Sequence, residues 1–185
     1  MGAVTDGTSS AKFESVLSTE MLYLNHAPHP HSLGTRRALQ AADGYLFLNM
    51  AAEALAEIRS VKKPESSEPD VMLAQNRVLL HLGRWKQVER LAQRAAKAHP
   101  EREEFTVQQA FALHQMQKAS EAVGVLESAP DWIRRTGILH YNLACYEAQL
   151  GDKKAARECI NAAFQINEAM RKNAKVDPDL QEIWN

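Results

Sequence analysis

The sequence predicts an all-α protein, a solenoid of four helix-turn-helix repeats that are each about 34 residues long. Two observations lead to this prediction. Small residues recur at the same places in four consecutive windows of equal length, and the apolar residues between them have the i, i+3, i+4, i+7 spacing of one helix face. Repeats of this kind bury their apolar faces by stacking, so the four windows are expected to share a continuous core.

The predicted repeats cover residues 35–68, 69–102, 103–136 and 137–168, and a position within a repeat is called a column below. Small residues occupy column 8 (Ala42, Asn76, Ala110, Ala144), column 20 (Ala54, Val88, Ala122, Ala156) and column 27 (Val61, Ala95, Ala129, Ala163). Larger apolar residues occupy column 14 (Leu48, Leu82, Met116, Leu150) and, for the most part, column 24 (Ile58, Ala92, Leu126, Ile160). Columns 14 and 24 are therefore expected to fill the space between the helices.

Column 15 marks the turn between the two helices of each repeat. It holds Asn49, Gly83, Gln117 and Gly151. A helix C-terminus commonly ends on a left-handed residue, which Gly and Asn adopt readily and Gln does not. No segment shows a sustained alternation of apolar and polar residues, so no strand is predicted.

These features resemble the tetratricopeptide-repeat family, whose repeat is a pair of antiparallel helices of matching total length. The resemblance covers residues 35 to about 168 and is strongest in the fourth repeat. The matching residues there are Tyr141, Asn142, Leu143, Ala144, Gly151, Asp152, Ala156 and Ala163. The resemblance implies a right-handed α-solenoid with a concave groove.

The segment before the repeats, 1–34, is predicted to be an N-terminal arm. Residues 12–24 carry apolar side chains at roughly helical spacing, and a linker rich in His and Pro follows. The arm could cover the first repeat, lie in the groove or pack on a second copy of the chain. His26, His29 and His31 raise the possibility of a metal site, but the intervening prolines extend the backbone, and a solvated connector is the preferred interpretation.

The repeat array is predicted to end before residue 169. A fifth repeat would place Pro178 at column 8, where proline breaks a helix. Residues 169–185 are therefore predicted to form a C-terminal cap, with a short helix that starts at Asp177-Pro178 and covers the apolar face of the last repeat.

Composition excludes several classes of function. The formal net charge of −1 provides no basic field for nucleic acid, and no apolar run reaches the roughly 20 residues of a membrane span. The two cysteines, Cys145 and Cys159, show no paired spacing, so reduced thiols in the cytoplasm are expected and neither residue is given a chemical role. No cofactor and no metal are predicted.

The predicted function is non-catalytic binding of a protein, because no catalytic motif is present. The family resemblance implies that columns 2, 5, 9 and 12 face the groove and contact the partner. The residues chosen as the partner-binding groove are Leu39, Asp43, Leu46, Leu73, Arg77, Leu80, Val107, Phe111, His114, Tyr141 and Cys145. Their mostly apolar character suits an amphipathic helix or an extended hydrophobic segment of the partner. The alternatives are a homo-oligomeric scaffold and a secretion-type chaperone for a specific client.

Overall fold

The computed structural model describes residues 31–184, and every regular element in that range is helical. The α-helices are α1 Leu33–Phe47, α2 Ala51–Ser60, α3 Pro69–His81, α4 Trp85–Ala98, α5 Glu103–Gln115, α6 Ala119–Glu127, α7 Asp131–Arg134, α8 Gly137–Leu150, α9 Lys153–Ile166 and α10 Met170–Ala174. Two short 3-10 segments, Glu65–Ser67 and Pro178–Ile183, complete the order. The predicted all-α solenoid is confirmed.

The helices keep the register of the sequence repeat. The second helices of the repeats begin at equal intervals along the chain, at Ala51, Trp85, Ala119 and Lys153. The four turn residues of column 15 all have positive φ: 58° at Asn49, 62° at Gly83, 61° at Gln117 and 86° at Gly151. The turn positions were thus predicted correctly, including the one that holds glutamine.

The small-residue columns lie where the helices meet. All members of columns 8 and 20 are buried, as is the apolar column 24. Column 14 was predicted wrongly at both ends of the array, because Leu48 and Leu150 are 63% and 50% exposed. Leu48 follows the last residue of α1 and Leu150 is the last residue of α8. At these positions the chain is already turning away from the helix interface.

The buried side chains form two clusters along the solenoid. The N-terminal cluster runs from Ala38 to Ala112 and joins the first two repeats to α5. The C-terminal cluster runs from Ala110 to Ile183 and joins the last two repeats to the C-terminal segment. Both clusters include residues of α5, so this helix connects the two halves of the molecule.

The C-terminal segment packs on the fourth repeat, and its last part is a 3-10 segment rather than the predicted helix. Pro178 opens that segment, as the sequence predicted, and the side chain of Asp177 accepts a hydrogen bond from the backbone N–H of Asp179. Leu180 and Ile183 are fully buried against the fourth repeat. The indole N–H of Trp184 donates to the carbonyl oxygen of Ala174 at 3.2 Å.

The predicted arm falls almost entirely outside the described residues. The possible helix 12–24, His26 and His29 lie there. Helix α1 begins at Leu33 with Ser32 as its N-cap, so the predicted linker ends two residues earlier than expected. His31 is buried, with its Nε2 3.7 Å from a carboxylate oxygen of Asp70, so it does not belong to a solvated connector. No helix in the range 31–184 is long and apolar enough to cross a bilayer.

Candidate functional site: an inner face with an open and a closed half

Columns 2, 5, 9 and 12 of the first helix in each repeat are called the inner face below. In the first two repeats a side-chain contact joins the inner-face helices: Arg77 in α3 donates a hydrogen bond to the carboxylate of Asp43 in α1. Both residues occupy column 9 of their repeats. Equivalent columns of α1 and α3 therefore lie side by side.

The part of the inner face formed by α1 and α3 remains accessible and is called the open half. Leu39, Leu46 and Leu73 are each partly exposed there, and Asp43 is exposed. The guanidinium of Arg77 pairs with Asp43 while keeping about a third of its side-chain surface accessible. The open half thus presents apolar patches beside one ion pair.

Three predicted groove residues belong to the core instead. Leu80, Val107 and Phe111 are all buried, so they were wrongly assigned to an exposed binding surface. Leu80 and Phe111 both lie in the N-terminal cluster, and the ring of Phe111 meets the ring of Trp85 edge-on with 6.2 Å between centroids. The physical reason is that adjacent columns exchange faces when a helix rolls slightly about its axis.

The three remaining predicted residues, His114, Tyr141 and Cys145, are also buried, but for a different reason. The C-terminal segment lies over them and brings two carboxylates into contact with their polar atoms. Asp177 Oδ2 accepts a hydrogen bond from the Tyr141 hydroxyl at 2.9 Å and lies 4.0 Å from the sulfur of Cys145. This part of the inner face is called the closed half. The sequence left open that the N-terminal arm lies in the groove, but it did not predict that the C-terminal segment covers this part of the inner face.

The carboxylate of Asp179 adds a second contact in the closed half. Its Oδ2 lies 3.3 Å from Nε2 of His114, a residue 65 positions earlier in the chain. The His114 ring is stacked on Tyr146 with 4.7 Å between centroids. Sequence reasoning missed both aspartates, because the only local signal, Asp177 before Pro178, predicts a helix start and not a contact with α5 or α8.

Burial and nearby negative charge raise the pKa of two tyrosines of the closed half. Burial is the main cause that raises the pKa of Tyr141, and the charge of Asp177 adds to it. Burial likewise raises the pKa of Tyr146 well above its usual value. Both phenols therefore stay protonated and act as hydrogen-bond donors at any physiological pH.

Polar contacts also close the edge of the inner face at column 2. Arg102 donates to Asp70 at 3.1 Å and to Glu104 at 3.0 Å, joining the second and third repeats. Burial lowers the pKa of the Arg102 guanidinium, but its bonds to the two carboxylates outweigh this and raise it overall. This ion triad is structural in character, since it satisfies charges between stacked helices.

A surface cleft and the thiol of Cys159 are two further features of the described residues. A cleft of about 360 Å³ lies between the start of α1 and the loop after α2, lined by Ser32, Thr35, Lys62 and Glu65 among others. It contains none of the predicted site residues. At Cys159, burial and the nearby charge of Glu147 raise the thiol pKa to about 11, which agrees with giving this cysteine no reactive role.

The family of the chain follows from a sequence match over most of its length. The model of the bacterial transcriptional activator domain matches residues 12–136. The chain belongs to the bacterial transcriptional activator domain family. The match begins at the predicted helix 12–24 and ends before α8, so the matched region includes the open half but not the fourth repeat or the C-terminal segment.

Solved structures resemble the fold at low sequence identity. MamA from Desulfovibrio magneticus RS-1 has a TM-score of 0.66 at 14% identity, covering 82% of this chain and 84% of its own. MamA AMB-1 has a TM-score of 0.62 at 14% identity with coverage of 83% and 86%, and MamA MSR-1 has 0.60 at 15% identity with coverage of 88% and 91%. No curated protein sequence matches the chain. The likeness to MamA establishes a tetratricopeptide-type helical-repeat fold.

Proposed function

We propose that the chain is a non-catalytic protein-binding module of a bacterial transcriptional activator, and that a partner segment binds to its open half. Helical-repeat folds present extended concave surfaces of the kind that hold other polypeptides. The family description supports a setting in transcriptional activation. The net charge of −1 favours a protein rather than nucleic acid as the partner, and that exclusion stays a prediction.

The observation that carries this proposal is the unequal burial of the inner face. Leu39, Leu46 and Leu73 stay partly accessible in the open half, whereas the closed half is covered by Asp177 and Asp179. A partner that reaches the inner face meets apolar patches beside the Asp43–Arg77 ion pair. An amphipathic helix with a polar or charged flank matches this surface, because its apolar face can cover the leucines.

A double substitution in the open half tests the proposal. A photo-crosslinking amino acid at position 73 is used to capture the partner from its native host, and the purified partner is then titrated with the chain. The double variant Leu39→Asp/Leu73→Asp is expected to weaken binding by roughly tenfold or more, because both positions would bury a charge against the partner. Circular dichroism checks that the variant remains folded.

The matched control is Leu150→Asp, because Leu150 is a half-exposed leucine on the far end of α8. This control should bind the partner with the wild-type Kd. Equal loss of binding in the control and in the double variant, or retention in both, would show that the open half is not the binding surface.

Self-association is the second candidate function, and the turn after α1 favours it. Phe47 is 91% exposed and the neighbouring Leu48 is also exposed, at the end of the array that no other described repeat covers. Exposed apolar patches of this kind mark protein contact sites. No observation on residues 31–184 favours the secretion-chaperone alternative.

Light scattering coupled to size-exclusion chromatography separates self-association from binding of a different protein. If two copies meet at this turn, the wild-type chain elutes with the mass of a dimer or larger species, and Phe47→Ser returns it to the monomer mass. A wild-type monomer at all concentrations would rule out the scaffold function. A dimer that Phe47→Ser leaves intact would place the contact elsewhere.

A further inference from the structure

The position of His31 fixes where the N-terminal arm meets the repeats. His31 immediately precedes the N-cap of α1, and only 3% of its side chain is exposed. Its Nε2 lies 3.7 Å from Oδ2 of Asp70, which is the column 2 residue of α3. The chain before α1 therefore reaches the repeats at the inner face of the second repeat, and not at the outer side of the first repeat.

The linker 25–30 is long enough to place residues 12–24 on the open half. Residues 24 and 31 are seven positions apart in the sequence, a separation that an extended chain spans with at most about 25 Å. Helix α1, with 15 residues, is about 22 Å long. Pro28 and Pro30 favour an extended backbone in the linker. From the point at which His31 is held, residues 12–24 can therefore reach the whole length of the open half.

The sequence of residues 12–24 matches the open half in character. Phe13, Leu17, Glu20 and Leu24 have the i, i+4, i+7, i+11 spacing of one helix face. That face is apolar with a single carboxylate near its centre. The open half has the corresponding arrangement, since its three partly exposed leucines lie beside one ion pair. The apolar side chains of the segment can therefore cover the leucines while its carboxylate meets the charged pair.

The charges of the two surfaces are also complementary. Residues 12–24 contain one lysine and two glutamates, so their formal charge is −1. In the open half, Arg77 donates to Asp43 through a terminal nitrogen, whereas its Nε is shielded from water and has no hydrogen-bond partner among the described residues. Arg36 adds an exposed positive charge at column 2 of α1. Glu20 placed beside Arg77 would give this guanidinium a further acceptor.

The family match gives a separate reason to treat this segment as part of the repeat domain. The match starts at residue 12 and continues to residue 136, so it includes the segment together with α1 and α3. The exposed apolar surface of Phe13, Leu17 and Leu24 would be unfavourable in water. Packing on the accessible leucines of the same domain removes both apolar surfaces from water at once.

We propose that residues 12–24 bind to the open half of their own chain, with Glu20 paired to Arg77, and that a partner must displace them to bind there. The docking does not depend on a partner, and only the displacement rests on the proposed function. A tethered segment has a high effective concentration at its site, so even a weak contact competes with a partner in solution. The N-terminal arm thus regulates access to the open half.

Crosslinking within the purified full chain tests the docking in the absence of a partner. A photo-crosslinking amino acid replaces Leu73, and isotope-labelled and unlabelled chains are mixed before irradiation. Mass spectrometry then maps the products and separates crosslinks within one chain from crosslinks between two chains. Products that join position 73 to residues 12–24 of the same chain are expected. The same amino acid in place of Leu150, which is half-exposed at the end of α8, is the control and should give no such product.

Substitutions in the segment test which side chains make the contact. Leu17→Asp/Leu24→Asp is expected to remove the same-chain product, because it places two charges on the apolar face. Glu20→Arg should lower the yield at least about fivefold, because it brings a second positive charge to Arg77. Glu14→Arg makes the same change in charge about 120° away around a helix, so its yield should stay near that of wild type. Circular dichroism checks that the repeats remain folded.

The docking is overturned if position 73 gives no product with residues 12–24, or if Leu17→Asp/Leu24→Asp gives the wild-type yield. Products that join only different chains would overturn it in favour of a second copy as the occupant. Equal losses in Glu14→Arg and Glu20→Arg would overturn the pairing with Arg77.

The displacement is tested separately, by titration of the partner. Leu17→Asp/Leu24→Asp is expected to bind the partner several-fold more tightly than the wild-type chain, because the site no longer has to be vacated. Equal affinities would overturn the regulatory role of the arm. Failure of the proposed function is a different result, namely that the open-half variant Leu39→Asp/Leu73→Asp keeps the wild-type Kd, and it leaves the crosslinking result unchanged.

Discussion

At the scale of single residues, the hydrogen bond between Asn76 and Gln108 is the clearest departure from the repeat pattern. The amide of Asn76 donates to the Gln108 side-chain oxygen at 2.8 Å, and the two residues are 0% and 1% exposed. Column 8 holds alanine in the three other repeats. A polar pair therefore replaces an apolar contact between the second and third repeats.

The variant Asn76→Ala is expected to lower the free energy of unfolding by about 1–3 kcal/mol, because it leaves the buried oxygen of Gln108 without a donor. Alanine fits the position sterically, since the other repeats hold it there. Chemical denaturation measures the change. Adding Gln108→Met, which replaces the unsatisfied amide with an apolar group of similar length, should recover most of the loss. Additive losses in the double variant would mean that the bond does not link the two residues.

A second residue-scale prediction concerns Cys159, whose thiol pKa is raised to about 11 by burial and by nearby carboxylates. The thiolate is the reactive form, so alkylation at pH 8 should be roughly a hundredfold slower than for a free cysteine. Mass spectrometry of the native chain over time measures the rate at Cys159, and the same measurement in denaturant provides the control. Equal rates in the two conditions would contradict the prediction.

At the scale of the element, the four positive-φ turns show what the sequence can predict. Column 15 identified all four turns, although one holds glutamine, because the surrounding helices keep their register and force the residue between them into the left-handed region. Gln117 carries a backbone cost there that glycine would avoid. The register of the neighbouring helices thus outweighs the preference of the single residue.

Substitution at one of these turns tests the backbone cost directly. Gly151→Ala is expected to lower the free energy of unfolding by about 1 kcal/mol, because φ is 86° although an added Cβ would meet no atom within 4 Å. Gly124→Ala is the matched control. It also has open space around its Cβ but lies inside α6, so it should raise stability by about 0.5–1 kcal/mol. Changes of the same sign in both variants would refute this explanation.

The inner face was predicted less well than the turns, for a physical reason. Helical spacing identifies which residues share a face, but it cannot tell a groove residue from a core residue when the two differ by a small rotation of the helix. Leu80, Val107 and Phe111 are core for this reason. His114, Tyr141 and Cys145 are covered by aspartates that lie 32–65 positions later in the chain, and contacts at that range leave no local pattern.

At the scale of the whole molecule, the C-terminal segment completes the C-terminal cluster. Leu180 is fully buried and Ile183 is 1% exposed, and the side chain of Arg157 in α9 donates to the backbone oxygen of Ile183 at 2.8 Å. The cap therefore takes the place of a further repeat, because it covers the apolar face that the fourth repeat would otherwise leave in water.

Leu180→Ala is accordingly expected to lower the free energy of unfolding by about 2–4 kcal/mol, since it leaves a cavity in the C-terminal cluster. Val176→Ala is the control from the same segment. Val176 is mostly exposed, so this change should stay within about 0.5 kcal/mol of wild type. Urea denaturation followed by circular dichroism measures both. A small effect of Leu180→Ala would mean that the segment is not held on the fourth repeat in solution.

The end of the family match does not coincide with the boundary between the two buried clusters. The match ends at residue 136, so of the closed-half residues His114, Cys145, Asp177 and Asp179 only His114 lies inside the matched region. Cys145, Asp177 and Asp179 lie beyond it. Most of the polar contacts of the closed half therefore involve residues outside the matched region.

Trp85 and Trp184 lie in different halves of the solenoid, so the fluorescence of each can report on its own half. Trp85 meets Phe111 in the N-terminal cluster, and Trp184 stacks on Phe164 with 6.4 Å between ring centroids. Replacing Trp132 and one of these two indoles with phenylalanine leaves the fluorescence of the other as a local reporter. An unfolding curve recorded for each single-reporter chain would reveal whether the two ends melt together or in sequence.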